Sequence, residues 1–225
     1  MNELKQNSKR AKYAITLIKV VLAIDILSII SLYLQYDLLQ TFVNEGEFSI
    51  EKAESNDLRE QILSILYSGF FIISAITFIM WFRRAYYNLH QKISYLSWKE
   101  GWASGAWFVP ILNLYRPYQI MMELYKETIE LLKKKDNNLA SKLTTTYVNL
   151  WFSLWIVSNI LSNISFRYQI KAKSIDELIT STILNMISCI IVIPLAIITI
   201  KVIKDYSKAE PLLIESNTEE NNFSI

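Results

Sequence analysis

The stretch WKEGWASGAWFVPILNLYRPY, residues 98–118, decides how this chain folds. Its apolar heart, residues 102–114, is 13 residues long, whereas a helix needs about 20 apolar residues to cross a bilayer. Blocks of about 10–14 residues are typical of re-entrant or interfacial segments. Two of the four glycines (Gly101, Gly105), two of the four prolines (Pro110, Pro117) and three of the six tryptophans (Trp98, Trp102, Trp107) fall in this stretch. Glycine allows close backbone approach, Pro110 removes a helical hydrogen bond, and tryptophan anchors at the headgroup level. Asn113 and Arg116 are placed to satisfy carbonyls freed at the break, since unpaired backbone at that depth is costly. The expectation is a broken helix that dips into the bilayer and returns.

Four longer blocks flank this stretch, at residues 13–34, 62–82, 147–166 and 178–203. Each is rich in Ile, Leu and Phe without strand-like alternation, so helices are expected. Hydrophobic residues make up 52 % of the 225, yet mean hydropathy is only +0.23, so apolar blocks alternate with charged connections. The expected fold class is all-α: an integral membrane bundle of four transmembrane helices, a short re-entrant Trp/Gly/Pro segment and an amphipathic cytoplasmic helix. Residues 1–204 form one multi-pass domain in this reading, and the polar, acidic residues 205–225 a disordered tail. Lys5, Lys9, Arg10 and Lys12 precede the first block, which is too long for a signal-peptide core and is followed by no small-x-small site. It reads as an uncleaved first span.

Charge sets the orientation. If 102–114 does not cross and the N-terminus is cytoplasmic, seventeen Lys/Arg lie inside and five outside, leaving aside Lys19 within the first span. If it crosses, the count is eleven on each side and the positive-inside bias vanishes. Four spans in the cell (inner) membrane with both termini cytoplasmic follow. Residues 36–61 make an acidic external loop, with a capping box at 57–60 expected to start the second helix. On residues 117–135, Ile120, Met121, Leu124, Thr128, Leu131 and Leu132 share one face. Glu123, Lys126, Glu127, Glu130 and Lys134 share the other. A helix lying along the cytoplasmic membrane surface is expected, with a soluble helix packed on cytoplasmic loops nearly as favoured.

The segments WFRRAYYNLH (81–90) and GWASGAWFVPILNLYRPYQIMMELY (101–125) together resemble a bacterial family of membrane proteins catalogued as domain of unknown function 4328. The residues carrying the resemblance are Trp81, Asn88, Gly101, Trp102, Trp107, Pro110, Asn113, Arg116, Pro117 and Tyr118. The linker 90–100 lacks the glycines associated with that family. The resemblance implies a multi-pass membrane protein and no activity.

Candidate sites follow from residues that are costly where they sit. Asp25 falls near the middle of the first span, where an ionisable group marks a functional site or an interhelical hydrogen bond. With Asn149, Asn159, Asn163 and Asn185 it makes a candidate intramembrane polar site, although small polar stripes also serve helix packing. Ser181, Asn185, Ser188, Val192, Ala196 and Thr199 form such a stripe on the fourth span. Arg83, Arg84 and Arg116 are candidate contacts for an anionic lipid headgroup. One cysteine (Cys189) and one histidine (His90) exclude an intrachain disulfide and a conventional zinc site. The net charge of +2 argues against nucleic acid as a partner. No nucleophile–base set or glycine-rich phosphate loop is present, and no cofactor is expected. The leading expectation is a non-catalytic protein interacting with lipid or another membrane protein. The alternative is a small transporter or channel using Asp25 and the broken segment.

Overall fold

A computed structural model describes residues 4–47, 49–135, 137–141 and 143–222, and no strand occurs among them. Four long helices carry the fold: α1 (Ser8–Glu45), α2 (Ile50–His90), α6 (Thr146–Lys171) and α7 (Ile175–Asn222). Three shorter ones lie between α2 and α6: α3 (Trp102–Gly105), α4 (Arg116–Lys135) and α5 (Asn137–Ala140). Helices α1, α2 and α7 are each long and apolar enough to cross a membrane. Helix α6 has 26 residues, but its asparagines, serines and tryptophans dilute its hydropathy.

The helices run well past the apolar blocks read from sequence. At about 1.5 Å per residue, the 38 residues of α1 extend about 57 Å, nearly twice a bilayer's apolar core. The acidic connection expected over 36–61 is therefore mostly helix. Helix α2 begins at Ile50 rather than at the capping box, because IEKAESN is already rich in good helix formers. Gly46 ends α1 with φ +77°, its N–H donating to the Phe42 carbonyl at 2.9 Å, the left-handed cap only glycine adopts freely. The segment from residue 205 is also helical, as the last turns of α7, where a disordered tail was expected. Tyr206, Ala209, Glu210 and Leu213 are buried there, which repays the helix despite Pro211. Residues 223–225 lie outside the described part.

Within the chain, two compact units can be distinguished. Unit 1 comprises Met1–Thr16, Ser74–Phe152 and Ile198–Ile225, and unit 2 comprises Leu17–Ile73 and Ser153–Ile197. Unit 1 has a well-packed core of Trp81, Phe82, Tyr86, Leu89, Tyr125, Tyr206 and Ile203, all essentially without exposure. Unit 2 is a helical bundle that leaves Ile26, Leu27, Ile30, Phe71, Ile72 and Ile190 exposed, as lipid-facing helices do.

Helix α4 belongs to the core of unit 1. Ile120, Met121, Leu124, Tyr125, Thr128 and Leu132 are all buried, and Leu131 is half-buried. The Tyr125 hydroxyl donates to the Val202 carbonyl of α7 at 2.6 Å. The apolar face read from sequence is thus correct, but protein covers it, so this helix does not lie on the membrane with that face in lipid. Leu124→Ala should cost about 2–5 kcal/mol in chemical unfolding of the detergent-solubilised chain, while exposed Lys126→Ala should stay within about 0.5 kcal/mol.

Candidate functional site

Unit 1 is closed by a buried polar latch. Glu210, 5 % exposed, accepts from the Asn88 side-chain amide at 2.7 Å and from the Asn7 amide at 3.1 and 3.2 Å. Asn7 also reaches the Trp81 carbonyl at 3.3 Å. Asn88 pairs with the backbone of Lys5, accepting from its N–H at 2.9 Å and donating to its carbonyl at 2.8 Å. Three segments far apart in sequence meet at one carboxylate: the N-terminus, the end of α2 and the end of α7. Glu210 lies two turns beyond the apolar part of α7, and burial pushes its carboxyl up to about 7, against the two amide bonds and the charge of Arg84.

The linker after α2 is fastened from both sides. The Tyr86 hydroxyl donates to Glu123 of α4 at 2.5 Å, and the Ser97 N–H donates to the same carboxylate at 2.8 Å. His90 bonds the Trp98 carbonyl at 2.8 Å. The Arg116 guanidinium lies 3.5 Å from the Trp98 ring centroid, a close cation–π contact. Sequence placed Glu123 on a solvated face; its role as an acceptor shared by α2 and the linker has no local signal.

Residues 102–114 form a broken segment. Helix α3 is one turn, followed by a 3-10 turn at Ala106–Phe108, extended Val109 and a second 3-10 turn at Leu112–Leu114. At the break, Ile111 has φ +69° and ψ −49°, and the Leu112 N–H donates to the Pro110 carbonyl at 2.8 Å. This is a γ-turn, a rare and strained conformation, here at a β-branched residue. The backbone closes the break itself, with Asn113 N–H to Val109 at 3.0 Å and Leu114 N–H to Ile111 at 3.1 Å. Arg116 does not serve the freed carbonyls; its Nε and Nη1 are buried without a hydrogen-bond partner, beneath the stack on Trp98. Gly101 and Gly105 have helical dihedrals and open space where a Cβ would sit, so no close approach requires glycine. The inner side is anchored by Ala103, Ala106 and Trp107, the last packed edge-on to Phe78 at 5.8 Å. The outer side presents Phe108, Ile111 and Leu114, at 76, 73 and 50 % exposure.

A groove of about 240 Å³ in unit 1 is lined by Lys5, Arg10, Arg83, Arg84, Tyr87 and Glu100. Four cations face one carboxylate, which holds Arg83 at 3.6 Å. Partial burial, then repulsion from Arg84 and Arg83, lowers the Arg10 pKa. Of the three arginines grouped from sequence, Arg83 and Arg84 line this groove and Arg116 does not.

Unit 2 holds a polar cavity of about 300 Å³ that reaches Asp25, with Asn185 also in its wall. The other asparagines of the expected polar site lie elsewhere. Asn149 is in unit 1, accepting from the Tyr118 hydroxyl at 2.8 Å. Asn159 and Asn163 are exposed and donate back to the carbonyls of Trp155 and Asn159, at 2.7 and 2.9 Å. Such back-bonding satisfies an amide without any interhelical partner. Ser162 and Ser165 of α6 line the cavity instead.

Compared with known families, residues 45–208 match the model described as Domain of unknown function (DUF4328). The chain belongs to this family. No curated protein and no solved structure matches it. All the motif residues fall inside the DUF4328 match, and the structure gives several of them work. Trp81 is fully buried against Phe78 and Tyr206, at 5.6 and 6.1 Å between ring centroids. Asn88 makes the latch, Trp107 seats the broken segment, and Pro117 is buried in the first turn of α4. Tyr118 stacks on Phe152 at 4.6 Å. Trp102 remains partly exposed.

The latch carries a pH signature. A carboxyl raised from its ordinary value near 4.5 to about 7 binds its proton more tightly in the folded state. Its contribution is full below the lower value and is lost as pH rises through the upper one. Folding stability should therefore fall between about pH 5 and pH 8, by up to about 3 kcal/mol from this group. Glu210→Gln, which retains a carbonyl acceptor for Asn7 and Asn88, should flatten that slope in unfolding measured at both ends of the range.

Proposed function

We propose that this DUF4328 protein is a four-span, non-catalytic membrane protein whose unit 1 sits at the cytoplasmic surface and binds anionic lipid headgroups. The topology is supported by bonds inside unit 1. The chain leaves this unit at residue 16 and returns at 74, then leaves at 152 and returns at 198. Asn7 and Asn88 both bond Glu210, which places the segment around Asn7, the end of α2 and the late turns of α7 on one side of the bilayer. The Tyr86–Glu123 bond adds α4, and Tyr118–Asn149 adds the start of α6. Two excursions that start and finish on one side give an even number of crossings, with α6 as the fourth span. The segment 102–114 then enters and leaves by that same side, with Phe108, Ile111 and Leu114 as a wedge for the inner leaflet. The excess of Lys/Arg on these connections favours the cytoplasm.

The headgroup reading is carried by the basic groove. Lys5, Arg10, Arg83 and Arg84 are held together with Glu100 as the single carboxylate, and like charges so placed favour an incoming anion. Arginine forks match a phosphate's oxygens in pairs, and basic pockets at a membrane surface hold acidic lipids. In mixed micelles, phosphatidylglycerol or cardiolipin should raise the unfolding temperature of the full chain above that in phosphatidylcholine. The double substitution Arg83→Ala, Arg84→Ala should remove most of that difference. An equal response to all three lipids would contradict the reading.

A further inference from the structure

The polar cavity of unit 2 is a separate matter from the headgroup groove and does not rest on it. Asp25 is 2 % exposed, and its Oδ2 is buried with no hydrogen-bond partner. It lies twelve residues into the first apolar block, about 18 Å along the helix axis and so near the middle of a bilayer's apolar core. A carboxylate at that depth needs a proton or a counter-charge, and no ion pair to Asp25 occurs among the described residues. Between the apolar side chains of Leu32, Leu63, Phe166 and Val192, its wall carries neutral oxygen ligands from all four helices. Ser28 comes from α1, Ser64 from α2, Ser165 from α6, and Asn185 and Ser188 from α7. Ser165 and Ser188 are 3.0 Å apart.

We propose that this cavity binds a small monovalent cation, with Asp25 as its deep charged ligand and the surrounding hydroxyl and amide oxygens completing the shell. Carboxylate, hydroxyl and amide oxygens are hard ligands, suited to alkali and alkaline-earth ions rather than to soft metals. Divalent ions generally draw several carboxylates, and no group of three His, Cys, Asp or Glu able to hold a metal occurs among the described residues. About 300 Å³ leaves room beside the carboxyl for an ion together with several waters at about 30 Å³ each. The approach suits a cation as well. Glu60 lines the cavity and accepts from the Ser31 hydroxyl. Its neighbour Arg59 is engaged by Ser31 and Asn56, both at 2.6 Å. Arg59 also borders a wider groove of about 910 Å³ that carries Asp37, Glu45, Glu47 and Glu51 against Lys52. Four carboxylates against Lys52 and Arg59 leave this groove net negative, and such a cleft concentrates cations.

Binding displaces the Asp25 proton to water, so cation and proton compete. The other titratable groups facing the cavity are Glu60 and Tyr67 from α2 and Cys189 from α7; α6 contributes only neutral residues. The test uses the full chain in detergent. Unfolding temperature is measured in sodium, potassium and choline chloride at equal ionic strength, at about pH 6 and about pH 8.5, so that protons compete strongly in one condition and weakly in the other. Sodium or potassium should stabilise the protein over choline at the higher pH, and less at the lower. Asp25→Asn should abolish the difference. Ser188→Ala, which keeps the charge, should raise the half-saturating salt concentration by about threefold or more. Adding sodium or potassium chloride to weakly buffered wild-type protein should release up to one proton per chain, and choline chloride none, a readout that needs no variant to fold. Identical behaviour in all three salts with no proton release would overturn the site, leaving Asp25 simply protonated. An Asp25→Asn chain that keeps the cation response would equally overturn it.

Discussion

Hydrogen bonds between segments distant in sequence constrain this protein more than any single helix does. Asn88 holds Lys5 through two backbone bonds and Glu210 through one, and Asn7 completes the set. A bond of about 3 Å cannot reach across a bilayer whose apolar core is about 30 Å thick. In our reading, the latch therefore determines which parts of the chain share a compartment before hydropathy is consulted. It also provides the frame for the linker and α4, because Tyr86, one turn of α2 before His90, holds Glu123.

On that frame the broken segment becomes intelligible. A short, strained turn at Ile111 persists because its surroundings over-determine it. Trp107 is seated among Phe78 and Trp151, Arg116 is stacked on Trp98, and Pro117 is buried as α4 begins. The strain raises three large apolar side chains, Phe108, Ile111 and Leu114, away from the core. In water such an arrangement is a liability, whereas inside a leaflet it is an anchor. In our reading, the basic groove of Lys5, Arg10, Arg83 and Arg84, also in unit 1, supplies the charge that such an anchor lacks.

Much of this architecture was legible because hydrophobicity and period are local signals. The long apolar helices, the break between Trp102 and Leu114 and the buried face of α4 can be read from spacing alone. What covers a face cannot: protein, lipid and headgroup all satisfy Ile120, Met121 and Leu124 equally in a one-dimensional pattern. Helix ends are not legible in this way, since apolar content marks where a helix crosses lipid, not where it stops, and α1, α2 and α7 all continue beyond. Glu210 lay in a stretch whose composition reads as a solvated tail, and nothing nearby announces that Asn7 and Asn88 will meet it. Asn159 and Asn163 show the converse. A stripe of amides looks like an interhelical path, yet each amide can be satisfied by its own helix one turn back, which left Ser162 and Ser165 to line the cavity with Asp25 and Asn185.

In our reading, residues 98–118 return to the side from which they came, with α4 beyond them in the cytoplasm. The direct measurement places a single cysteine at Lys134, on the exposed side of α4, in a chain whose Cys189 is replaced by serine, and treats intact cells with a membrane-impermeant thiol reagent. A second chain with its only cysteine at Lys52 serves as the external reference. That topology predicts labelling at 52 in intact cells, and at 134 only after the membrane is opened. Labelling at 134 in intact cells, to the same extent as at 52, would contradict it.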